Sequence, residues 1–307
     1  MITQTQPARP ANERPVVRAA RWLKAVIRTT RPRQWPKNLL VFAAPLAAAS
    51  LGRNNGLAYA MLGAFAFLCA SAAVYLVNDA VDAERDRQHP KKRLRPIASG
   101  ELPPEHAIAV GVGFAVIALA AGPVAGVPWL SATTGAYLAM SFLYSGILKH
   151  IPVVEVIFVA SGFLLRVVGG AVVTHVRLSL LFLLVCSLGA LGVAVAKRYS
   201  ELVTLGEHGI KHRPTLAHYT PAALRLSQIL IGAAMIATYL LWAASEKDTT
   251  RLWHIASAIP LAAALFRFGV LTGKHEIRPV EDMITRDALM LACEAAWLAL
   301  FVTGLYA

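Results

Sequence analysis

Three aspartates and an asparagine close a long apolar stretch in Tyr75-Leu-Val-Asn78-Asp79-Ala-Val-Asp82-Ala-Glu84-Arg85-Asp86. Charge at the end of an apolar segment is costly unless it is used. On a helix turning about 100° per residue, Asn78, Asp82, Asp86 and Asp79 project at roughly 0°, 40°, 80° and 100°, and Tyr75 falls on the same face. Carboxylates gathered on one face repel one another unless a cation lies among them. An all-oxygen ligand set suits a hard ion such as Mg2+, which usually bridges protein carboxylates to substrate phosphates. Asn78, Asp79, Asp82 and Asp86 are therefore the candidate metal ligands and catalytic residues; a helix end that is merely solvated does not need this repeat.

The stretch continues as Arg87-Gln-His89-Pro-Lys91-Lys92-Arg93-Leu-Arg95-Pro-Ile-Ala-Ser99-Gly100, a loop broken by prolines and a glycine. Five Lys or Arg within nine residues, beside a patch of carboxylates, are suited to clamp phosphate oxygens. Their simpler role is to anchor the loop at the inner face of a membrane. Arg85, Lys91, Arg93 and Arg95 are the candidate phosphate ligands here.

The elements that position these residues are membrane helices. Hydrophobic residues make up 57% of the 307 and charged residues only 15%, too apolar for an ordinary soluble domain. Apolar runs recur with short polar breaks, and a run crosses lipid only as a helix, which satisfies its own backbone hydrogen bonds. The expected fold is all-α, a polytopic membrane protein with nine transmembrane helices over 39–52, 57–77, 104–122, 128–145, 152–173, 178–196, 221–244, 252–272 and 287–306. The first run is short and would have to tilt or extend back through Pro36. Residues 1–30, basic and Pro-rich without an apolar core, read as a disordered cytoplasmic arm rather than a cleavable signal peptide, and 31–307 as one membrane-embedded domain.

With the N-terminus inside, 23 Lys and Arg fall in the inner segments and only Arg53, Arg177, Lys247 and Arg251 in the outer ones, a bias that favours this orientation in the plasma membrane. The net charge of +13 then belongs to the inner leaflet, facing anionic membrane lipids, and not to a nucleic-acid footprint. Cys69, Cys186 and Cys293 sit singly in different runs and read as packing residues.

The complete Asn78-Asp79-x-x-Asp82-x-x-x-Asp86 resembles the signature of the UbiA superfamily of intramembrane prenyltransferases, and the resemblance runs from Arg31-Pro-Arg-Gln-Trp35-Pro-Lys37-Asn38 to the end. It implies a UbiA-like bundle. Most members carry a second Asp-rich motif, but the matching stretch here is Lys197-Arg198-Tyr199-Ser200-Glu201, and residues 197–220 contain no Asp. One acid flanked by two cations suits a more anionic donor better than a second magnesium cage would. In this the chain, with its blocks RPRQWPKN, KRLRPIASG, KRYSEL and HRPT, is similar to the branch that makes decaprenylphosphoryl phosphoribose. The resemblance implies Mg2+-dependent transfer of 5-phosphoribose from phosphoribosyl pyrophosphate to a polyprenyl phosphate, a precursor step for cell-wall arabinan. It places Lys37, Tyr75, Arg85, Lys91, Arg93, Arg95, Lys197 and Arg198 among substrate-binding residues, with Glu201 or Tyr199 on ribose hydroxyls or in the metal shell.

Arg166, inside the fifth run in Gly162-Phe-Leu-Leu-Arg166-Val-Val-Gly169-Gly170, is a further substrate-binding candidate, with pairing to Glu155 or a carbonyl as the structural alternative. His208 and His212 beside Glu207 lack a third zinc ligand. Gly111 and Gly113 are expected at a helix contact, and Glu281, Asp282, Arg286 and Asp287 at the cap of the last helix. The competing functions are a conventional UbiA-type prenyltransferase with an aromatic acceptor, which would have a second acidic motif, and a transporter of an anionic solute, which would place polar groups at membrane depth. Self-association into a homo-oligomer is left open.

Overall fold

The computed structural model describes residues 15–246, 248–273 and 280–306, apart from the side chains of 205–212, 248, 249 and 281. The described residues form helices α1 (Pro15–Thr29), α2 (Ala43–Ala47), α3 (Gly56–Val81), α4 (Ala83–Arg87), α5 (Pro104–Val124), α6 (Trp129–Gly146), α7 (Val154–Val173), α8 (Leu180–His212), α9 (Pro221–Ser245), α10 (Asp248–Gly273), α11 (Val280–Arg286) and α12 (Ala288–Tyr306), with no strand among them. Seven helices are long and apolar enough to cross a membrane: α3, α5, α7, the Leu180–Thr204 part of α8, α9, α10 and α12. The chain is a multi-pass, all-α membrane protein.

The other two of the nine expected spans differ for local reasons. Residues 39–52 are not one helix: a 3-10 segment, Pro32–Phe42, with Pro36 inside it, leads into the five-residue α2. A proline removes a backbone donor and resists a regular α-helix at that point. The run 128–145 does form α6, but its Ser, Thr, Tyr and Gly content leaves it less apolar than the other seven. The sixth run continues as helix well past 196, so Lys197–Glu201 lie on α8. Residues 15–29, expected as part of a disordered arm, form α1.

The chain divides into two compact units. One takes the residues up to Pro36 with Leu68–Ala118, and the other takes Lys37–Phe67 with the residues from Leu119 onward. In the first, Ala25 and Val26 of α1, Leu76 and Ala80 of α3, Ala83 of α4, Ile97, Leu102 and Ala107 form a buried core, flanked by Trp22, Val110 and Phe114. Gly111 brings α5 onto α3: a β-carbon there would lie 3.0 Å from Val77 Cγ2 and 3.3 Å from Leu76 Cβ. It is the helix-contact glycine expected from sequence, whereas Gly113 has nothing within 4 Å.

In the second unit, α7 packs between α6 and α8, α8 on α9, α9 on α10, and α10 on α12. Gly170 lets α7 meet the 3-10 segment at backbone distance, since a β-carbon there would clash with the Val41 carbonyl oxygen. Thr220 caps α9, its hydroxyl accepting from Ala223 N at 3.1 Å, with Pro221 pre-setting the first turn. Asp287 caps α12 as expected, accepting from Met290 N at 3.0 Å. It also forms a two-pronged ion pair with Arg267, at 3.0 and 2.7 Å.

Candidate active site

The acidic motif lies where α3 gives way to α4. Asp82 sits between the two helices, yet Asp82 N still donates to Asn78 O at 2.9 Å and Asp86 N to Asp82 O at 2.8 Å. This i to i−4 ladder keeps the helical register through the junction, so Asp79 and Asp86 come together as their spacing predicts. Both are buried, and both accept from Arg95 Nη1, at 3.1 and 2.7 Å. Arg31 Nη2 donates to Asp79 Oδ1 at 2.7 Å, and Lys92 Nζ lies 3.8 Å from Asp86 Oδ1.

Asp82 departs from this group. Its side chain is 36% exposed and meets Arg85 at 3.4 Å. Arg85, Lys91 and Arg93 are exposed, so of the four loop cations singled out only Arg95 reaches the buried carboxylates. Arg31 was not singled out. It takes φ 55°, a left-handed backbone that is unfavourable for a residue with a β-carbon, and it lies 4.6 Å over the Tyr75 ring while pairing with Asp79. Its signal in sequence is its place at the head of the RPRQWPKN block, where it is one cation among many.

In the second unit, Glu155 of α7 is fully buried and holds three partners. Arg213 Nη1 donates to its Oε2 at 2.5 Å, Thr215 Oγ1 to its Oε1 at 3.0 Å, and Arg198 Nε lies 3.1 Å from Oε1, out of line for a hydrogen bond. Glu201 accepts from Arg198 Nη1 at 2.7 Å and lies 3.5 Å from Arg213 Nε. Two acids and two arginines thus neutralise one another, and Arg198 is enclosed among them. Burial works to lower the Arg213 guanidinium, but Glu201, Tyr144 and Glu155 outweigh it and hold the group above its ordinary value, permanently charged. Burial pushes the Tyr219 phenol up, so it stays neutral while its oxygen accepts from Val153 N at 2.7 Å. Arg213 and Thr215 are the Arg and Thr of the HRPT block; spacing alone gives no sign that they reach Glu155.

Arg166 is also buried in the second unit, and Glu155 is not its partner. Nε donates to Asn38 Oδ1 at 2.9 Å, Nη1 to Gly162 O at 2.6 Å and Nη2 to Tyr137 OH at 3.1 Å, with the Tyr137 ring 4.6 Å from the guanidinium carbon. These partners are all neutral, and Asn38 Nδ2 is buried without a hydrogen bond. Lys37 Nζ lies 5.5 Å from the Phe163 ring centre. Tyr199 packs among the apolar side chains of α7, α8 and α9. The side chains of Glu207, His208, His212 and Glu281 lie outside the described residues.

Among the described residues no three His, Cys, Asp or Glu side chains converge as a ready metal-ligand set. Asp79 and Asp86 nevertheless present oxygens to one shared cationic atom, and Mg2+ commonly takes only one or two protein carboxylates, with water and substrate phosphates completing its shell. The donor chemistry fits such an ion.

The sequence model of the UbiA prenyltransferase family matches residues 39–280. The decaprenyl-phosphate phosphoribosyltransferase of Mycobacterium tuberculosis is 38% identical over 284 residues, covering 91% of this chain and 94% of the relative. The enzyme of the same name from Corynebacterium glutamicum is 36% identical over 290 residues, 92% of this chain and 86% of the relative. A solved UbiA homologue from Archaeoglobus fulgidus, bound to DMAPP and Mg2+, superposes with a TM-score of 0.68 at 17% identity, over 92% of this chain and 99% of that one, a likeness of fold.

Proposed function

The chain belongs to the UbiA prenyltransferase family, and on that premise we propose that it transfers 5-phosphoribose from phosphoribosyl pyrophosphate to a polyprenyl phosphate, decaprenyl phosphate by analogy with its relatives. The observation that carries the reading is the pairing of Asp79 and Asp86 on one cationic nitrogen, because two buried carboxylates held that close are suited to a divalent ion and, through it, a diphosphate. The identity to named phosphoribosyltransferases over more than nine-tenths of the chain supports the choice of donor.

In the reaction, a phosphate oxygen of the lipid attacks C1 of the ribose, the bond from C1 to the pyrophosphate oxygen breaks, and pyrophosphate leaves. A phosphate monoester has a second pKa of about 6 and is mostly a dianion at neutral pH, so no protein base has to remove a proton. Asp79 and Asp86, with Asn78 and Asp82 at the helix junction, are the proposed Mg2+ ligands; the ion would neutralise charge on the leaving diphosphate. Arg31, Arg95 and Lys92 carry the positive charge that exchanges from carboxylate to phosphate oxygens when donor binds. The more exposed Arg85, Lys91 and Arg93 supply further cations along the same loop.

In the second unit, the hydrogen-bond partners of Arg166 are neutral, and with Lys37 this guanidinium suits an anionic group such as a lipid phosphate. The Glu155, Arg198, Arg213 and Glu201 network is internally neutral, and its role is to tie α7, α8 and the 213–219 turn together. The active end is assigned to the cytoplasmic side of the plasma membrane, supported by the distribution of Lys and Arg.

The test is a donor competition. Purified protein with Mg2+ receives one polyprenyl phosphate and, in parallel, labelled phosphoribosyl pyrophosphate or a labelled prenyl diphosphate with an aromatic acceptor. Label entering lipid only from the first donor supports the proposal; label joining only the aromatic acceptor replaces it with conventional prenyl transfer.

A further inference from the structure

Helix α1 carries three distinct faces. At about 100° per residue, Trp22, Ala25, Val26 and Thr29 share one side, and these pack inward, with Ala25, Val26 and Thr29 buried. Val16, Leu23 and Ile27 fall together about a third of a turn away and are 79%, 54% and 42% exposed. Arg21, Lys24 and Arg28 lie on the third side together with Val17, while Arg18, exposed in the first turn, projects between Ala25 and Thr29. A surface helix in water does not need a second apolar stripe, and a spanning helix does not carry four cations in 15 residues. Apolar stripe and cationic row side by side are the pattern of a helix lying in the plane of a membrane surface.

The C-terminal end of this helix bears on the acidic motif. Arg28 Nη1 pairs with Glu101 Oε2 at 2.7 Å, Thr30 N donates to Val26 O at 3.1 Å, and the next residue is Arg31, which holds Asp79 from a left-handed backbone. One peptide step separates the capped helix end from the strained residue. Displacement of α1 therefore moves Arg31.

We propose that α1 is seated by anionic headgroups of the surrounding bilayer, with Val16, Leu23 and Ile27 at the acyl boundary and the neighbouring exposed Lys24 on lipid phosphates, and that this seating holds Arg31 against Asp79. Charge complementarity commits the stripe to an anionic lipid surface: an apolar protein partner would offer Lys24 no counter-charge, whereas the headgroup layer takes both. The coupling to catalysis rests on the transferase reading; the seating itself does not.

The experiment places a nitroxide at Leu23 by Leu23→Cys, with the three native cysteines replaced by alanine, in nanodiscs of phosphatidylcholine alone or with phosphatidylglycerol. Relaxation by oxygen, which concentrates in lipid, reports depth whether or not the protein is active. The expected result is a lipid-embedded label in the anionic discs and a shallower one in neutral discs. Lys24→Gln should weaken the seating by roughly fivefold. In active preparations, label transfer should fall in neutral discs along with depth. A Leu23 label equally deep in both bilayers, or shielded by protein in both, overturns the proposal. The lipid exchange needs no charge substitution, so it decides the question even if that variant folds poorly.

Discussion

Asp79 and Asp86 accept from one nitrogen, Arg95 Nη1, at 3.1 and 2.7 Å, although seven positions and a helix junction separate them. A single cation positioned by two carboxylates holds the end of α3, α4 and the following loop in one arrangement. It also means that stability and catalysis should separate among the three aspartates.

Asp82→Asn should abolish transfer while leaving the fold intact, because the Asp82 side chain is 36% exposed and pairs only with the more exposed Arg85 among its described ion pairs. Asp86→Asn should also abolish transfer, but with a loss of about 1–2 kcal/mol, since it uncouples a buried carboxylate from a partly exposed Arg95. Thermal unfolding in detergent beside a transfer assay checks both. Retained activity in Asp82→Asn would remove it from the metal set.

Glu155→Gln should be a folding variant. It leaves the enclosed Arg198 without its full counter-charge, at a cost of about 3–5 kcal/mol. Adding Arg198→Met should recover part of that loss, because the uncompensated charge is then gone. A double-mutant cycle on unfolding midpoints measures the coupling, and equal losses in the single and double variants would contradict it.

The glycines of the α5 and α7 spans should respond in opposite ways. Gly170→Ala drives a methyl group into the Val41 carbonyl and should cost about 3 kcal/mol or more. Gly113→Ala meets nothing within 4 Å and should be neutral or stabilising by about 0.5 kcal/mol. Folded yield and unfolding midpoint distinguish the two.

Transfer should decline as pH falls through about 6, because the acceptor phosphate then gains a proton and loses nucleophilicity. Arg213 cannot produce such a decline, being held above its ordinary value. A pH–rate profile at saturating donor measures this. A flat profile down to pH 5 would mean that the attacking phosphate is activated by other means.

Apolar runs made most of the membrane helices legible, since a span of that length has one way to satisfy its backbone in lipid. Legibility failed where proline intervened, at Pro36, and where a helix continued past its apolar part, at Lys197. Within the site, the approach of Asp79 to Asp86 followed from helical spacing because the backbone ladder survives the junction. Asp82, placed on the same face by the same arithmetic, turns out to Arg85 because it is the junction residue itself. Arg31 and Arg213 were out of reach for another reason. Each finds its carboxylate 48 or 58 positions away, and no periodicity in the chain encodes a partner at that separation.

The most direct test of the transferase account is a doubly labelled donor, phosphoribosyl pyrophosphate carrying 14C in the ribose and 32P in the 5-phosphate, incubated with the protein, Mg2+ and decaprenyl phosphate. The account predicts that both labels enter the lipid in their original ratio, with one pyrophosphate released per lipid formed and none in the presence of a chelator. Lipid without either label, or lipid carrying 32P alone, would contradict it.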